Sequence, residues 1–300
     1  MVFVVTGATG FLGFDFILTA LKENNTVYAV ARNEEKMQAL FPNTPFLKFI
    51  KSELSNLKDL PKLIKNADVF VNFAWEGISA TKRDNTNIQS KNIQYSKDAI
   101  IAAKQLGCKL FVSSGSQAEY GIVSTEIYEN TPCKPYSEYG KAKLELCKEC
   151  DRLRNELNIK YLHLRIFSVF GKRDHEHTLL KSSIKKLQDN ISIELTQCTQ
   201  KWNFLYVKDA VMQIYLLCNY AVNKKDYKSE IYNLASEDTR ELKSYIYELK
   251  DIIKSDSELK FGAIKSPQIV SLNPNIEKLK KTINFTTRYS FKMAIEDMIK

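Results

Sequence analysis

No apolar run in the sequence approaches the roughly 20 residues that a bilayer-spanning helix needs, so no membrane partner is expected. Met1 to Val5 is apolar but runs straight into Thr6-Gly7, with no basic segment and no cleavage site. That start reads as a first strand rather than a signal peptide, and the expected location is the cytoplasm. Glycine (10 residues) and proline (7) are scarce, which excludes a collagen-like fibre and leaves no low-complexity linker. The six cysteines, Cys108, Cys133, Cys147, Cys150, Cys198 and Cys218, follow no regular framework. A disulfide scaffold is thereby excluded and a reducing compartment fits. Cys147 and Cys150 form a CxxC on a strongly helical stretch without a second pair, and read as two thiols one helical turn apart. Histidine is scarcer still, with only three residues. Asp174-His175-Glu176-His177 looks like a metal cluster, but consecutive ligands cannot converge as i, i+4 pairs do, and only His163 lies elsewhere. No metal is expected. Blocks of one charge sign are absent as well: the net charge of +9 is scattered among acids. Such scatter fits solubility or a phosphorylated small ligand rather than nucleic acid, and no RNA-binding motif is present.

What remains is ordinary globular composition, 44% hydrophobic and 26% charged over 300 residues, enough for one large domain or two fused modules. Strand-type segments at 2–5, 26–31, 46–50, 68–74, 109–114 and 160–168 alternate with helix-type segments at 11–24, 34–40, 57–66, 90–106 and 137–158. Alternation of this kind predicts an α/β fold, a Rossmann-type doubly wound parallel sheet. Residues 1–170 form the expected dinucleotide-binding domain, with a further contribution from about 203–235. Residues 171–300 form mainly a small mixed α/β substrate lobe. Its expected helices are 178–188, 209–221, 242–254 and 291–300, with short strands at 204–207, 231–233 and 268–271.

Gly7-Ala8-Thr9-Gly10-Phe11-Leu12-Gly13 is GxxGxxG, directly after a strand and opening a helix. Gly7 permits the tight turn, Gly10 lets the backbone approach a pyrophosphate, and Gly13 allows close helix–strand packing. The second strand ends Val30-Ala31-Arg32-Asn33, without the carboxylate that holds a ribose 2′-hydroxyl. Arg32 is placed to meet a 2′-phosphate, which favours NADP(H) over NAD(H); alternatively Arg32 stacks on adenine or faces water.

Tyr139-Gly140-Lys141-Ala142-Lys143 is YxxxK at a helix start, which puts Tyr139 and Lys143 on one face. A neighbouring ammonium and an oxidised nicotinamide both favour tyrosinate, and bring its titration toward a working pH. With this motif the chain resembles the extended short-chain dehydrogenase/reductases, especially the nucleotide-sugar epimerases, dehydratases and 4-ketoreductases. The resemblance covers nearly the whole chain: GATGFLG at 7–13, NFAWEG at 72–77, Asn92, GSQAEYG at 115–121, YGKAK at 139–143, LRIFSVFG at 164–171, WNFLYVKDA at 202–210 and YNLAS at 232–236. It implies that Ser116 is the catalytic hydroxyl, that Tyr139 is the acid–base, and that Lys143 bonds the nicotinamide ribose and tunes Tyr139. It also implies a cofactor wall of Thr9, Phe11, Leu12, Leu54, Phe73, Ala74, Trp75 and Phe167, with Asn92 supporting the site. Ser116, Gln117 and Ser168 would face the sugar. A homodimer, through the YxxxK helix and the helix before it, is expected on the same ground.

Departures from the family pattern narrow the chemistry. Dehydratases of the family carry an Asp-Glu pair after the hydroxyl, where this chain has Gln117-Ala118 and places Glu119 one position off. Members that epimerise at C3 and C5 use a cysteine where Ala118 stands. What survives is redox at one carbinol carbon, usually C4, of a nucleotide-activated sugar. NADPH-dependent 4-keto reduction is the first expectation, an NAD-dependent 4-epimerase the alternative, and a non-catalytic NADP(H) sensor an alternative of another class. The family's diphosphate-gripping arginine is replaced by Trp202-Asn203, which leaves Lys172, Arg173 or Lys201 for that task. Trp202 either stacks on the base or packs.

Overall fold

A computed structural model describes residues 1–79, 81–265 and 270–300. Its first six strands are β1 (Val2–Thr6), β2 (Thr26–Ala31), β3 (Leu47–Lys51), β4 (Val69–Asn72), β5 (Leu110–Ser116) and β6 (Lys160–Ile166). Six more follow: β7 (Ser168–Phe170), β8 (Ile193–Leu195), β9 (Lys201–Tyr206), β10 (Ser229–Leu234), β11 (Thr239–Glu241) and β12 (Leu259–Phe261). The helices are α1 (Phe11–Lys22), α2 (Glu34–Leu40), α3 (Thr86–Gln105), α4 (Glu138–Leu157), α5 (Leu179–Gln188), α6 (Val207–Asn223), α7 (Leu242–Ile253), α8 (Glu277–Ile283) and α9 (Phe291–Ile299).

Seven strands form one parallel sheet in the order β10-β6-β5-β4-β1-β2-β3. Parallel neighbours need crossovers, and the helices supply them on both faces. This is why β1 and β4 read as unbroken apolar runs, VFVVT and VFVN, rather than alternating. One core, with Phe3, Phe16 and Ile214, lies on the α1 and α6 side; the other, with Phe70, Ile100, Phe111 and Leu146, lies under α3 and α4. The chain leaves β1 toward β2 and β3, then returns to β4 on the opposite side. That reversal opens a crevice at the carboxyl ends of β1 and β4.

Several details differ from the expected elements. Residues 54–62 form a 3₁₀ helix with Pro61 inside it, because proline removes a donor and crowds the preceding turn. The strand expected over 160–168 breaks at Phe167, whose N–H bonds the Leu234 carbonyl at 3.1 Å. There the chain leaves the main sheet, and β7 joins β9 and β11 in a second one. Of the 203–235 segment, β10 and α6 belong to the main sheet and its cover, whereas β9 belongs to this second sheet. Of the strand expected at 268–271, residues 268 and 269 lie outside the described residues, and Val270 and Ser271 are not in a strand. β8, β11 and β12, at three residues each, are too short to show periodicity.

One long side chain ties the sheet to its cover. Lys160 Nζ donates to the carbonyls of Ala221, Val222 and Lys224, each at 2.9 Å. These are terminal acceptors of α6, whose last turn holds no basic residue of its own. Lys160→Met is expected to lower stability by about 1–2 kcal/mol, read as a reduced urea midpoint with unchanged slope. An unchanged midpoint would show that water replaces the ammonium without loss.

Candidate active site

At the carboxyl end of β1 the glycine turn walls a cavity of about 440 Å³. Gly7 takes φ +68°, and a Cβ on Gly13 would lie 2.2 Å from the Gly7 carbonyl oxygen. The turn closes only because both side chains are missing. Gly10 caps α1 without a side-chain bond, and the first turn carries no acid, so its N–H groups are left for an anion. Thr9, Gly10, Phe11, Leu12, Gly13, Arg32, Leu54, Phe73, Ala74 and Trp75 all line this cavity. A glycine cradle, uncapped helix start and apolar walls suit a dinucleotide. Asn92 is not in the wall. It accepts from the Glu76 N–H and donates to the Glu76 carbonyl, both at 2.9 Å, and so straps the loop after β4.

Arg32 stands at the mouth of this cavity, between Glu76 at 3.5 Å and Glu53 at 3.9 Å. The second strand indeed ends without an acid, but two acids reach the same place from the exit of β3 and the loop after β4. A 2′-phosphate here would meet both carboxylates. The preference for NADP(H) drawn from Arg32 therefore has no support.

A second cavity, of about 380 Å³, shares Phe11, Leu12, Phe73, Trp75, Ile78 and Ser114 with the first and adds Ser116, Gln117, Tyr139, Lys143, Phe167 and Ser168. The two spaces form one cleft. Ser137 caps α4 by accepting from the Gly140 N–H at 3.1 Å. A Cβ on Gly140 would lie 2.5 Å from the Ala118 carbonyl oxygen, so α4 begins pressed against the loop that carries Ser116. Tyr139 and Lys143 follow at i and i+4, both facing the cleft.

Lys143 does not sit at the phenol. Its Nζ lies 3.5 Å over the Trp75 ring and donates to the Ser114 carbonyl at 2.7 Å, 5.6 Å from the Tyr139 ring centre. Burial pulls its ammonium down to about 7, against the opposing charge of Glu119. Tyr139 is pushed up by burial, while the Arg83 guanidinium and the Ser116 hydroxyl pull it back. Arg83 lies 4.4 Å over the Tyr139 ring. The expected lowering of Tyr139 by Lys143 is thus not found in the protein alone, because the ammonium is turned toward Ser114. Ser113 is no competitor for Ser116: its hydroxyl meets Tyr161 and His163, each at 2.7 Å, inside the core.

Gln117 lines the cleft, Ala118 is buried, and Glu119 points the other way. The Glu119 carboxylate accepts from the Ser116 N–H at 2.8 Å, meets His163 at 3.0 Å and takes the Arg165 guanidinium at 2.8 Å. Burial alone would raise this carboxyl, but His163 and Arg165 hold it down at about 2. Burial likewise opposes the imidazolium, yet Glu119 keeps His163 protonated up to about 9. The raised histidine contributes stability fully below its ordinary value near 6.5, and that contribution is lost as pH rises through about 9. The lowered carboxylate contributes above about 4.5, and loses its share as pH falls toward about 2. Thermal midpoints should therefore fall between pH 7 and 10, and His163→Gln should flatten that fall. An equally steep fall in the variant would assign it to other groups.

Four candidate substrate contacts lie elsewhere. Arg173 sits 4.1 Å over the Phe14 ring on α1, and Lys172 and Lys201 do not line the cleft. Trp202 packs beside Phe204 at 6.2 Å, one layer behind Phe167, and its buried indole N–H meets no acceptor among the described residues. His175 and His177 stack at 5.4 Å on the loop before α5. Cys147 and Cys150 are buried free thiols on α4. Arg83, Glu53 and Glu76 were missed by the sequence reading; only Glu76 sits inside a recognisable motif, next to Trp75.

The model of the NAD dependent epimerase/dehydratase family matches residues 3–235. The chain belongs to that family. It is an NAD-dependent enzyme family of nucleotide-sugar chemistry, and the resemblance seen in the motifs stands. An uncharacterized UDP-glucose epimerase of Bacillus subtilis is 24% identical over all of this chain and 97% of its own length. A dTDP-6-deoxy-L-talose 4-dehydrogenase (NAD(+)) of Aggregatibacter actinomycetemcomitans is 25% identical over 70% of this chain and 77% of its own. Among solved structures, a mutant UDP-glucuronic acid 4-epimerase of Bacillus cereus, with a fluorinated UDP-sugar and NAD, superposes with a TM-score of 0.87 at 21% identity over 99% of this chain and 98% of that one. That likeness shows the seven-stranded Rossmann-type fold. Among the described residues no helix is long and apolar enough to cross a membrane.

Proposed function

We propose that the protein is an NAD-dependent nucleotide-sugar 4-epimerase. The observation that carries this reading is one reactive set, Ser116, Tyr139 and Lys143, at the inner end of a dinucleotide cleft. Among the described residues no acid–base pair follows Ser116, since Gln117 and Ala118 cannot carry protons and Glu119 is turned into the core. Such a set suffices for redox at one carbinol carbon and not for dehydration. Arg32, neutralised by Glu53 and Glu76, supports NAD over NADP. NAD, when bound, supplies reversible hydride acceptance at that carbon. Tyr139, ionised when the positive nicotinamide ring of bound NAD stands beside it, would take the carbinol proton on its phenolate oxygen and return it, while the Ser116 hydroxyl orients both oxygens. Lys143, titrating near neutrality, stands over Trp75 where a ribose hydroxyl can be bonded. In this reading residues 1–170, with 203–235, hold the cofactor and 171–300 mainly the sugar nucleotide. A homodimer through α3 and α4 belongs to the same proposal, and light scattering tests it.

The likeness to a 4-dehydrogenase favours a second reading, one-way oxidation or 4-keto reduction by the same residues. Incubation of purified protein with UDP-, dTDP- and CDP-hexoses separates the two. C4 epimers appearing without added cofactor support the epimerase, whereas a keto sugar with stoichiometric NADH supports the dehydrogenase. Loss of neither sugar nor cofactor would leave both without support. Glu53→Gln combined with Glu76→Gln is expected to raise NADPH affinity relative to NADH about tenfold, read by fluorescence titration. An unchanged ratio would place cofactor choice elsewhere.

A further inference from the structure

Behind Ser116, on the side away from the cleft, lies a charged group that the chemistry above does not use. Glu119 and His163 are wholly buried and Arg165 is 4% exposed. Tyr161, His163 and Arg165 alternate along β6 and so share one face. His163 also stands in register with Ser113 on β5. Glu119 Oε1 accepts from the Ser116 N–H at 2.8 Å and meets His163 Nε2 at 3.0 Å, while Oε2 accepts from Arg165 Nε at 2.8 Å. The clamp is braced from behind. His163 Nδ1 meets the Ser113 and Tyr161 hydroxyls at 2.7 and 3.0 Å, and Arg165 donates to the Glu129 carbonyl at 2.9 Å.

A capping box explains part of this. Ser116 Oγ accepts from the Ala118 N–H at 3.2 Å while Glu119 reaches back to the Ser116 N–H. A box of that kind works with a solvated glutamate. Two buried cations on one carboxylate exceed what capping needs, and burying them is costly unless the geometry is held. There is no slack either: a Cβ on Gly115 would lie 2.3 Å from His163 Nε2 and 2.5 Å from Glu119 Oε1. We propose that Glu119, clamped by His163 and Arg165, is a positioning residue that fixes the Ser116 main chain and thereby aims the Ser116 hydroxyl at Tyr139 and the substrate oxygen. This rests on Ser116 and Tyr139 being the reacting end of the cleft.

Glu119→Asp is the decisive variant. It keeps the charge for both cations but draws the carboxylate back from Ser116 by one methylene. With UDP-glucose as the sugar probe, kcat is expected to fall about 100-fold, with KM and NAD affinity little changed. Ser116→Ala should lose as much, and the double variant no more than Ser116→Ala alone. Additive losses would instead mark a structural role and overturn the proposal. A readout without sugar comes from alkaline absorbance titration of the NAD-loaded protein, taken as the difference from Tyr139→Phe. Arg83 and Ser116 face the phenol, the buried Glu119 charge acts on it from behind Ser116, and Lys143 lies beyond on the same helix. All charges persist in Glu119→Asp, so an upward shift of the Tyr139 titration, equal to that of Ser116→Ala, reports the displaced hydroxyl. An unshifted titration overturns the proposal. Should the aspartate variant not fold, Arg165→Lys, which keeps a cation but loses the directed bond to Glu119 Oε2, is expected to lower kcat with KM little changed; a wild-type rate counts against the proposal. If Tyr139→Phe abolishes turnover while Glu119→Asp is wild type, positioning alone fails. If Tyr139→Phe turns over normally, the site reading itself fails.

Discussion

Tyr139→Phe is expected to lower nucleotide-sugar turnover by about 100- to 10,000-fold while NAD binding stays within about twofold. The variant removes one oxygen and keeps the ring. The edge contact with Trp75 at 6.2 Å and the Arg83 guanidinium over the ring face remain in place. The dinucleotide cavity is walled by other residues, so cofactor affinity has no reason to follow the loss. Turnover measured by NMR of the sugar, beside NADH fluorescence titration, separates the two quantities. A variant that lost both equally would point to a collapsed α4 start rather than missing proton transfer, and one that kept its rate would remove Tyr139 from the chemistry.

The second large effect is expected at the glycine turn. In Gly13→Ala the new methyl would stand 2.2 Å from the Gly7 carbonyl oxygen and 2.9 Å from its carbon. Both are backbone atoms, which cannot swing aside as a flexible side chain does, so α1 has to move off the turn. The expected cost is about 1–3 kcal/mol of stability, with a loss of NAD affinity of about 100-fold or more, because the displaced amides are those left for the pyrophosphate. Gly107→Ala is the control. That glycine has φ +76°, and a Cβ there would meet nothing within 4 Å. It should lose about 1 kcal/mol of stability and no cofactor affinity. Equal NAD affinity in the two variants would exclude the turn as the pyrophosphate site.

How much was legible beforehand follows the distance along the chain over which each feature is encoded. The parallel sheet could be read because strands buried on both faces, such as β1 and β4, are written as short uninterrupted apolar runs. The glycine turn and the Tyr139–Lys143 pair are local spacings, and their geometry follows from helix pitch alone. Arg83 could not be read, since nothing near it in sequence says that its loop folds over Tyr139. Glu53 and Glu76 were not legible for the same reason: three segments meet at Arg32, and only the end of β2 adjoins it in sequence. The direction of the Tyr139 titration in the protein alone was not legible, because the spacing places Lys143 on the right face without saying which carbonyl its ammonium takes. Arg173 and Trp202 have suitable chemistry but point at Phe14 and Phe204.

The edge strand β10 has a consequence for how the chain comes into being. It pairs with β6, yet it follows β6 by about 70 residues, with β7, β8, β9, α5 and α6 in between. At about 5–20 residues per second, a ribosome delivers β10 some 4–14 s after β6. Throughout that interval six strands are present and β6 is an unpaired edge, its interior residues Tyr161, Leu162, His163, Leu164 and Arg165 still waiting for their final burial. An open apolar edge is a template for pairing with another chain. Slowing synthesis between Ile166 and Ser229 should therefore raise the fraction of aggregated product, whereas a slowdown of the same length after Leu234 should not.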